Sequence, residues 1–505
     1  MKRLLLWSQI LALLLAACAT SPPPTPDPLA AYLPDFDPAI LPADVDIEDF
    51  PRYDISLQVD PGKREVDGTA RIHLRNLSGR PLNDVYVRLY PNLPQLVGGM
   101  RFKSVVTLPD RFAAGYAFAL QNTAIRITLI EPLPPDESLD LEIRYLVKAP
   151  HREGYVLFGE SEGVLSLPYS YPILAAQTRD PTSPWRLDVP PPHGDITISD
   201  PSFFTVTATV PSTVTLIATG VEISRTESSP GWTQHVFVTG PVREWSMMMG
   251  EQFRRQSLVV DGVTINSYYL ANDERSGRSA LAKAASVLRV YNRLLGPYPY
   301  KELDIVEAPT RYLGMEYSGL NFIGLDTYRN QIETQEILIA HEIAHQWWYN
   351  LVGSDPFRYP WLDEGLAEHS SMLYVDTLYG KEEADRIRAL RWQIPIQWAK
   401  DNGYDDVVGQ EVTAFNGTNY ETLVYAKSAS FFDAVYQQVG RETYLKILQT
   451  FIERYRFKTP TPEDFLDTVR EVSGYDPQPL YEKWILSAER KPLPSPTPSP
   501  TPAGG

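Results

Sequence analysis

The sequence predicts a multidomain α+β protein in which an antiparallel all-β half is followed by a mainly helical half. Three observations predict it. The chain has 505 residues, too many for one compact core and suited to two or three domains. Hydrophobic residues make up 43% and charged residues 22%, so most of the chain should bury a core and fold. The apolar period lengthens once, near residues 270–275, from two to between three and four.

Residues 1–17 read as a signal peptide, with Lys2 and Arg3 ahead of an apolar stretch from Leu4 to Leu15 that is too short to span a bilayer comfortably. The stretch ends in Leu15-Ala16-Ala17-Cys18, which resembles the lipobox of bacterial lipoproteins and makes Cys18 the lipidation site. The protein is therefore expected to be exported to a bacterial cell envelope and anchored to a membrane through its acylated N-terminus. Cys18 is the only cysteine, so no intramolecular disulfide or cysteine-based metal site is available. Residues 18–49 are rich in proline and read as a tether, and residues 491–505 (KPLPSPTPSPTPAGG) as a disordered Pro/Thr/Ser-rich tail.

Between these ends, residues 50–270 form the predicted β domain. Alternating sets such as Ile55, Leu57 and Val59, or Leu139, Leu141, Ile143 and Tyr145, are those of half-buried strands separated by Pro, Gly and Asp turns. Residues 271–490 form the second domain. Leu281, Ala284, Leu288, Tyr291 and Leu295 recur at three and four and stop at Gly296-Pro297, as a helix does. Leu303 to Ala308 can return as a strand, and helical segments follow over roughly 333–350, 362–379, 381–400, 427–439, 441–457 and 462–473. Thr461 and Asp464 have capping-box spacing ahead of the last, with Gly474 behind it.

The formal charge of -17, or -19 once Lys2 and Arg3 are removed, disfavours nucleic acid as a partner, because affinity for phosphates needs a basic surface. The chemistry lies in the helical half, where residues 336–349 read EILIAHEIAHQWWY. On a helix His341 and His345 share one face a turn apart, so both imidazoles can reach one metal ion. Glu342 then lies beside the metal, where a carboxylate can take a proton from a water held there. Nineteen residues after His345, Glu364 in Trp361-Leu-Asp-Glu-Gly-Leu-Ala-Glu-His369 is the candidate third ligand. Two histidines and a carboxylate leave a fourth tetrahedral position open, as in a catalytic zinc site, although copper, iron and manganese accept similar sets. Glu368 and His369 compete as candidates, with helix packing the simpler role for each and support behind a ligand the functional one. His73, His151, His193 and His235 lie in the β half without ligand spacing.

HEIAHQWWYNLVGSD followed by PWLDEGLAEH resembles the signature of the aminopeptidase N and leukotriene hydrolase family of gluzincin metallopeptidases. The likeness covers about residues 50–488, including YDISLQVDPGKREVDGTARIHLRN in the β half. It implies a saddle-like N-terminal β domain and a thermolysin-like catalytic domain with one Zn2+ ion held by His341, His345 and Glu364. Leu313-Gly-Met-Glu-Tyr317 resembles that family's Gly-Ala-Met-Glu-Asn motif, with Leu313 in place of its first Gly and Tyr317 in place of Asn. By that resemblance Gly314, Met315 and Glu316 contact substrate, and Glu316 takes its free α-amino group. Val424-Tyr425-Ala-Lys-Ser-Ala resembles the Tyr-x-Lys-Gly-Ala segment, which makes Tyr425 the residue that hydrogen-bonds the oxyanion.

The chain ends soon after Leu480-Tyr-Glu-Lys-Trp-Ile485, without the C-terminal helical domain that covers the cleft in larger relatives. The resulting expectation is an aminopeptidase acting on peptides, with Glu342 as general base. A metallo-endopeptidase or oligopeptidase on the same fold, or a non-catalytic peptide-binding lipoprotein, is the alternative.

Overall fold

The computed structural model describes residues 28–152, 157–180, 182–310 and 314–489. The signal peptide, Cys18, Leu313 and the tail 491–505 lie outside the described residues.

The β half is built on a seven-stranded sheet. Arg52–Asp60 sits near its middle, antiparallel to Glu65–Arg75 and parallel to Ser202–Pro211. Along Arg52–Asp60 the side chains of Ile55, Leu57 and Val59 are buried while Ser56 and Gln58 face out, as the period of two requires. Two four-stranded sheets complete this half, and one of them carries Leu82–Arg88 between Ile173–Leu174 and Ala124–Leu133.

The second half holds a five-stranded mixed sheet backed by helices. Its strands run in the order Phe253–Val260, Val263–Leu270, Glu302–Ala308, Leu320–Gly324 and Gly314–Tyr317. The expected boundary at residue 270 therefore moves ahead of Phe253. Val263–Leu270 pairs in parallel with Glu302–Ala308 across the helix Glu274–Leu294, and a period of two cannot say which sheet a strand will join. Gly314–Tyr317 pairs antiparallel with Leu320–Gly324 on one side only and forms the sheet's edge.

The predicted helices appear as Gln335–His345, Trp361–Tyr379, Ser428–Val439, Arg441–Tyr455 and Pro462–Ser473. The capping box at Thr461 and Asp464 is formed, and Gly474 closes that helix in the left-handed region at φ 70°. The helix expected over 333–350 keeps α geometry to His345 and then widens into a π turn over Gln346–Leu351. Residues 381–400 are likewise interrupted by a π turn, Ala389–Gln393.

From residue 28 onward the segment assigned as a tether is packed. Phe36 contacts Tyr300 and Phe457 of the second half and Phe203 of the β half, with ring centroids 6.0, 6.3 and 6.5 Å away. Phe50 likewise meets Phe203 and Phe457 at 5.7 and 5.8 Å. Aromatic residues spaced among the prolines give this stretch enough apolar surface to fill the seam between the halves.

Candidate metal centre

Three donor atoms converge where two helices meet. His341 and His345 lie on the Gln335–His345 helix with their Nε2 atoms 3.2 Å apart. Glu364 Oε2, from the first turn of Trp361–Tyr379, stands 3.1 Å from the first and 3.3 Å from the second. Among the described residues this is the one group of three or more His, Cys, Asp or Glu able to hold a metal ion.

The triangle fits zinc. Corners of a tetrahedron around an ion with bonds of about 2.0–2.1 Å lie about 3.3–3.4 Å apart, close to all three edges. Two ring nitrogens turned toward each other and toward one carboxylate oxygen also make a donor set that suits a cation.

The electrostatics point the same way. Burial pushes the Glu364 carboxyl up, but hydrogen bonds with both histidines outweigh it and hold it at about 2. Burial alone would lower His341 and His345. Their hydrogen bonds with Glu364, the Glu368 contact of His341 and the Glu316 charge facing His345 instead raise them to about 10 and about 9. The pocket carries a negative potential that favours positive charge at the imidazoles.

Glu368 supports His341 from behind, and the packing role considered for it is the lesser part of what it does. Its Oε2 lies 3.3 Å from His341 Nδ1, and it accepts hydrogen bonds from Arg391 Nε and Nη2 at 2.7 Å and from Trp392 Nε1 at 2.8 Å. His369 packs elsewhere, its Nδ1 3.1 Å from the Tyr444 hydroxyl. His73, His151 and His235 pair with Asp140, Glu160 and Glu222, and His193 meets the Val412 carbonyl. None of these four joins the cluster.

Two glycines permit close approach. A Cβ on Gly314 would fall 2.0 Å from Glu342 Oε1, so the glycine lets the Glu342 side chain lie directly against the edge strand. A Cβ on Gly365 would fall 2.6 Å from Ser428 Oγ, which brings the segment 421–428 onto the helix of Glu364. That approach places Tyr425, whose hydroxyl donates to Glu364 Oε1 at 2.5 Å and whose ring stacks on His341 at 5.7 Å. Burial and the Glu364 charge keep the Tyr425 hydroxyl protonated, hence a donor.

Glu316 and Met315 follow Gly314 on the edge strand, with Glu316 buried and Met315 partly buried against the core. Burial, then the charge of Asp195, pushes the Glu316 carboxyl well above its usual range. Tyr317, in contrast, turns into the core against Phe322 and Tyr169.

Three residues of the β half belong to this region and were missed. Asp195 interacts electrostatically with Glu364, His345 and Glu342, and burial pushes its carboxyl up to about 7. Glu244 accepts from Ser318 N at 2.7 Å and from the Tyr349 hydroxyl, tying the edge hairpin to the turn after His345. Arg243 donates to the carbonyls of Tyr349, Ser199 and Lys458. Each acts across a chain separation that local spacing cannot report.

A model of the Peptidase family M1 domain matches residues 279–484. Over those residues the chain is similar to a family M1 peptidase domain. Aminopeptidase M1-A of Oryza sativa subsp. japonica is 23% identical over 258 residues, covering 45% of this chain and 27% of that protein. Aminopeptidase 2, mitochondrial, of Saccharomyces cerevisiae is 24% identical over 252 residues, covering 44% and 25%. The chain thus spans about a quarter of the length of these curated relatives. The fold around the M1 domain is that of an M1 zinc metallopeptidase from Deinococcus radiodurans, at TM-score 0.65 and 20% identity over 90% of this chain and 96% of that one. A mutant of the same protein bound to a Tyr-Ser-Ala substrate matches at TM-score 0.64.

Proposed function

We propose that the chain is a zinc-dependent metallopeptidase that removes N-terminal residues from peptides. The observation that carries this reading is the pair of carboxylates set beside the donor triangle, buried Glu316 and part-buried Asp195, the charge of Asp195 helping to raise Glu316. Acids left without a fixed cation suit a ligand that brings its own positive charge, and a peptide's α-ammonium does so.

The free edge of Gly314–Tyr317 offers backbone groups to an extended peptide, which can add to the sheet as one more strand. Glu316 and Asp195 then fix the amino end. A zinc ion held by His341, His345 and Glu364 would supply Lewis acidity to the scissile carbonyl and acidify a water. Glu342, buried and pushed up to about 7, is placed to take the proton of the attacking water and return it to the leaving amine. The Tyr425 hydroxyl, released from Glu364, donates to the carbonyl oxygen as negative charge develops there.

The lipobox-like Cys18 supports an exported protein anchored through lipid to a bacterial envelope membrane. Among the described residues no helix is long and apolar enough to cross a membrane.

The test is hydrolysis of aminoacyl fluorophores and matched N-acetylated peptides, with and without a chelator and zinc restoration. Chelator-sensitive release from free-amine substrates alone is expected. Equal cleavage of acetylated peptides would make the chain an endopeptidase, and silence on both would make it a binding protein.

A further inference from the structure

The helical stretch 381–401 has two sides with different tasks. Its inner side carries Arg391 and Trp392, which hold Glu368 behind His341. Its outer side carries an exposed apolar row among polar neighbours such as Gln393 and Gln397. Leu390, Ile394 and Trp398 recur every fourth residue and are 53, 58 and 47% exposed. The Trp398 ring lies flat on that of Tyr404, with centroids 5.4 Å apart and planes within 7°. Four large apolar side chains in one row form a patch of the kind that marks an interaction site.

The last described residue, Glu489, lies at one end of this row. Glu489 pairs with Lys400 at 3.0 Å, and its backbone N–H donates to Asp405 Oδ2 at 2.6 Å. The Ser487 carbonyl accepts from buried Lys427 at 2.8 Å. Glu489 is therefore held by residues near Trp398 and Tyr404 in the chain, Lys400 and Asp405. The sequence then continues Arg490-Lys491-Pro-Leu-Pro-Ser-Pro-Thr-Pro-Ser-Pro-Thr-Pro502, with proline at every second position from Pro492.

We propose that this proline-rich segment occupies the exposed row of its own chain, with its prolines and Leu493 against Trp398, Tyr404, Ile394 and Leu390. Proline-rich sequences favour an extended left-handed helix before they bind, so little conformational entropy is lost, and such helices are recognised by aromatic-lined grooves. The reach suffices. Twelve residues at about 3.1 Å each extend roughly 37 Å, whereas the helix from Leu390 to Trp398 is about 12 Å long at 1.5 Å per residue. Because Glu489 is already held at Lys400, the contact is intramolecular, and a weak interaction is filled at millimolar effective concentration.

The experiment uses the full chain with Cys18→Ser, which leaves no other cysteine. Gln397→Cys, exposed beside Trp398, is combined with Ser495→Cys, and Thr226→Cys in the β half with Ser495→Cys sets the background. Mild oxidation should close an intramolecular disulfide in the first pair well above the second. In parallel, hydrogen exchange over residues 389–404 should quicken by about fivefold when Pro492, Pro494, Pro496 and Pro498 are together changed to Ser. Disulfide-linked dimers in place of internal bridges would overturn the proposal in favour of a second copy as occupant. Background-level bridging with unchanged exchange would overturn it outright.

Discussion

The two walls of the candidate site hold negative charge in different ways. On the helical wall each carboxylate already has partners. Glu364 lies between two imidazoles and is held at about 2, and Glu368 takes Arg391, Trp392 and the back of His341 and is held well below its usual range. On the wall formed by the edge strand and the β-half loop, Glu316 and Asp195 have no such partners among the described residues; burial and the Asp195 charge push Glu316 upward, and burial and the Glu364 charge push Asp195 upward. The first wall is electrostatically complete for a metal ion. The second lacks positive charge until a ligand brings it, which is how a site can favour a substrate end over water.

Glu342 sits between the walls, on the metal-bearing helix but against Gly314 of the edge strand, and its substitution should have the largest effect. Glu342→Gln keeps size and fold but removes the proton acceptor. Turnover should fall about 10^3-fold, with one zinc per chain retained by metal analysis. Substantial activity in that variant would move the base elsewhere, and loss of zinc would mean that Glu342 belongs to the metal-holding wall after all.

Tyr425→Phe tests the hinge of the comparison from the other side. The hydroxyl rests on Glu364 Oε1 in this structure, and the proposed chemistry needs it on the substrate oxygen. A loss of about 10^2-fold in kcat with little change in KM is expected if it stabilises developing charge. A variant that instead binds zinc more weakly at unchanged kcat would make Tyr425 a support for the ligand Glu364.

Asp195→Asn addresses the incomplete wall alone. KM for free-amine substrates should rise about tenfold, while kcat changes little and zinc content stays at one per chain. An equal loss on N-acetylated peptides would show that Asp195 shapes the cleft rather than reading the amine.

What was legible in the sequence follows the same division. His341 and His345 are one helical turn apart with Glu342 beside them, so their grouping is a local property, and Glu364 lies on the next long helix. Thr461 and Asp464 announced their helix in the same local way. Glu316 and Tyr425 were reached through family resemblance, since neither has a local pattern of its own. Asp195, Glu244 and Arg243 could not be read, because their partners are distant in the chain, Ser199 lying 44 residues before Arg243 and Ser318 74 residues after Glu244. Phe253–Val260 and Val263–Leu270 fell inside the span 50–270 assigned to the β domain, yet they join the sheet of the second half, for a related reason. Alternation reports that one face is buried, not against what.

The smallest predicted effect concerns the seam between the halves, where residues 28–50 turned out to be packed. Asp35 is 1% exposed, and its backbone carbonyl accepts from Lys301 N at 2.7 Å. Burial pushes its carboxyl up to about 7, against the lowering pull of contacts with Thr239 and Lys301, and its charge helps to raise Glu302 to about 7 as well. A carboxyl whose folded pKa exceeds its unfolded value favours the fold fully below the unfolded pKa, near 4, and loses that contribution as pH rises through the folded pKa. Stability should therefore decline between about pH 4 and pH 7, then level off once both acids are ionised in the folded chain. Asp35→Asn removes one of the two charges and keeps the oxygen that faces Lys301 N. Its melting temperature should match the parent near pH 4 and exceed it by a few degrees at pH 8, a difference of about 1–2 kcal/mol. Melting curves of parent and variant at the two pH values check this. A variant less stable than the parent at pH 8 would mean that the ionised Asp35 carboxylate helps to hold the segment in the seam, and that burial there is relieved by water or by a cation.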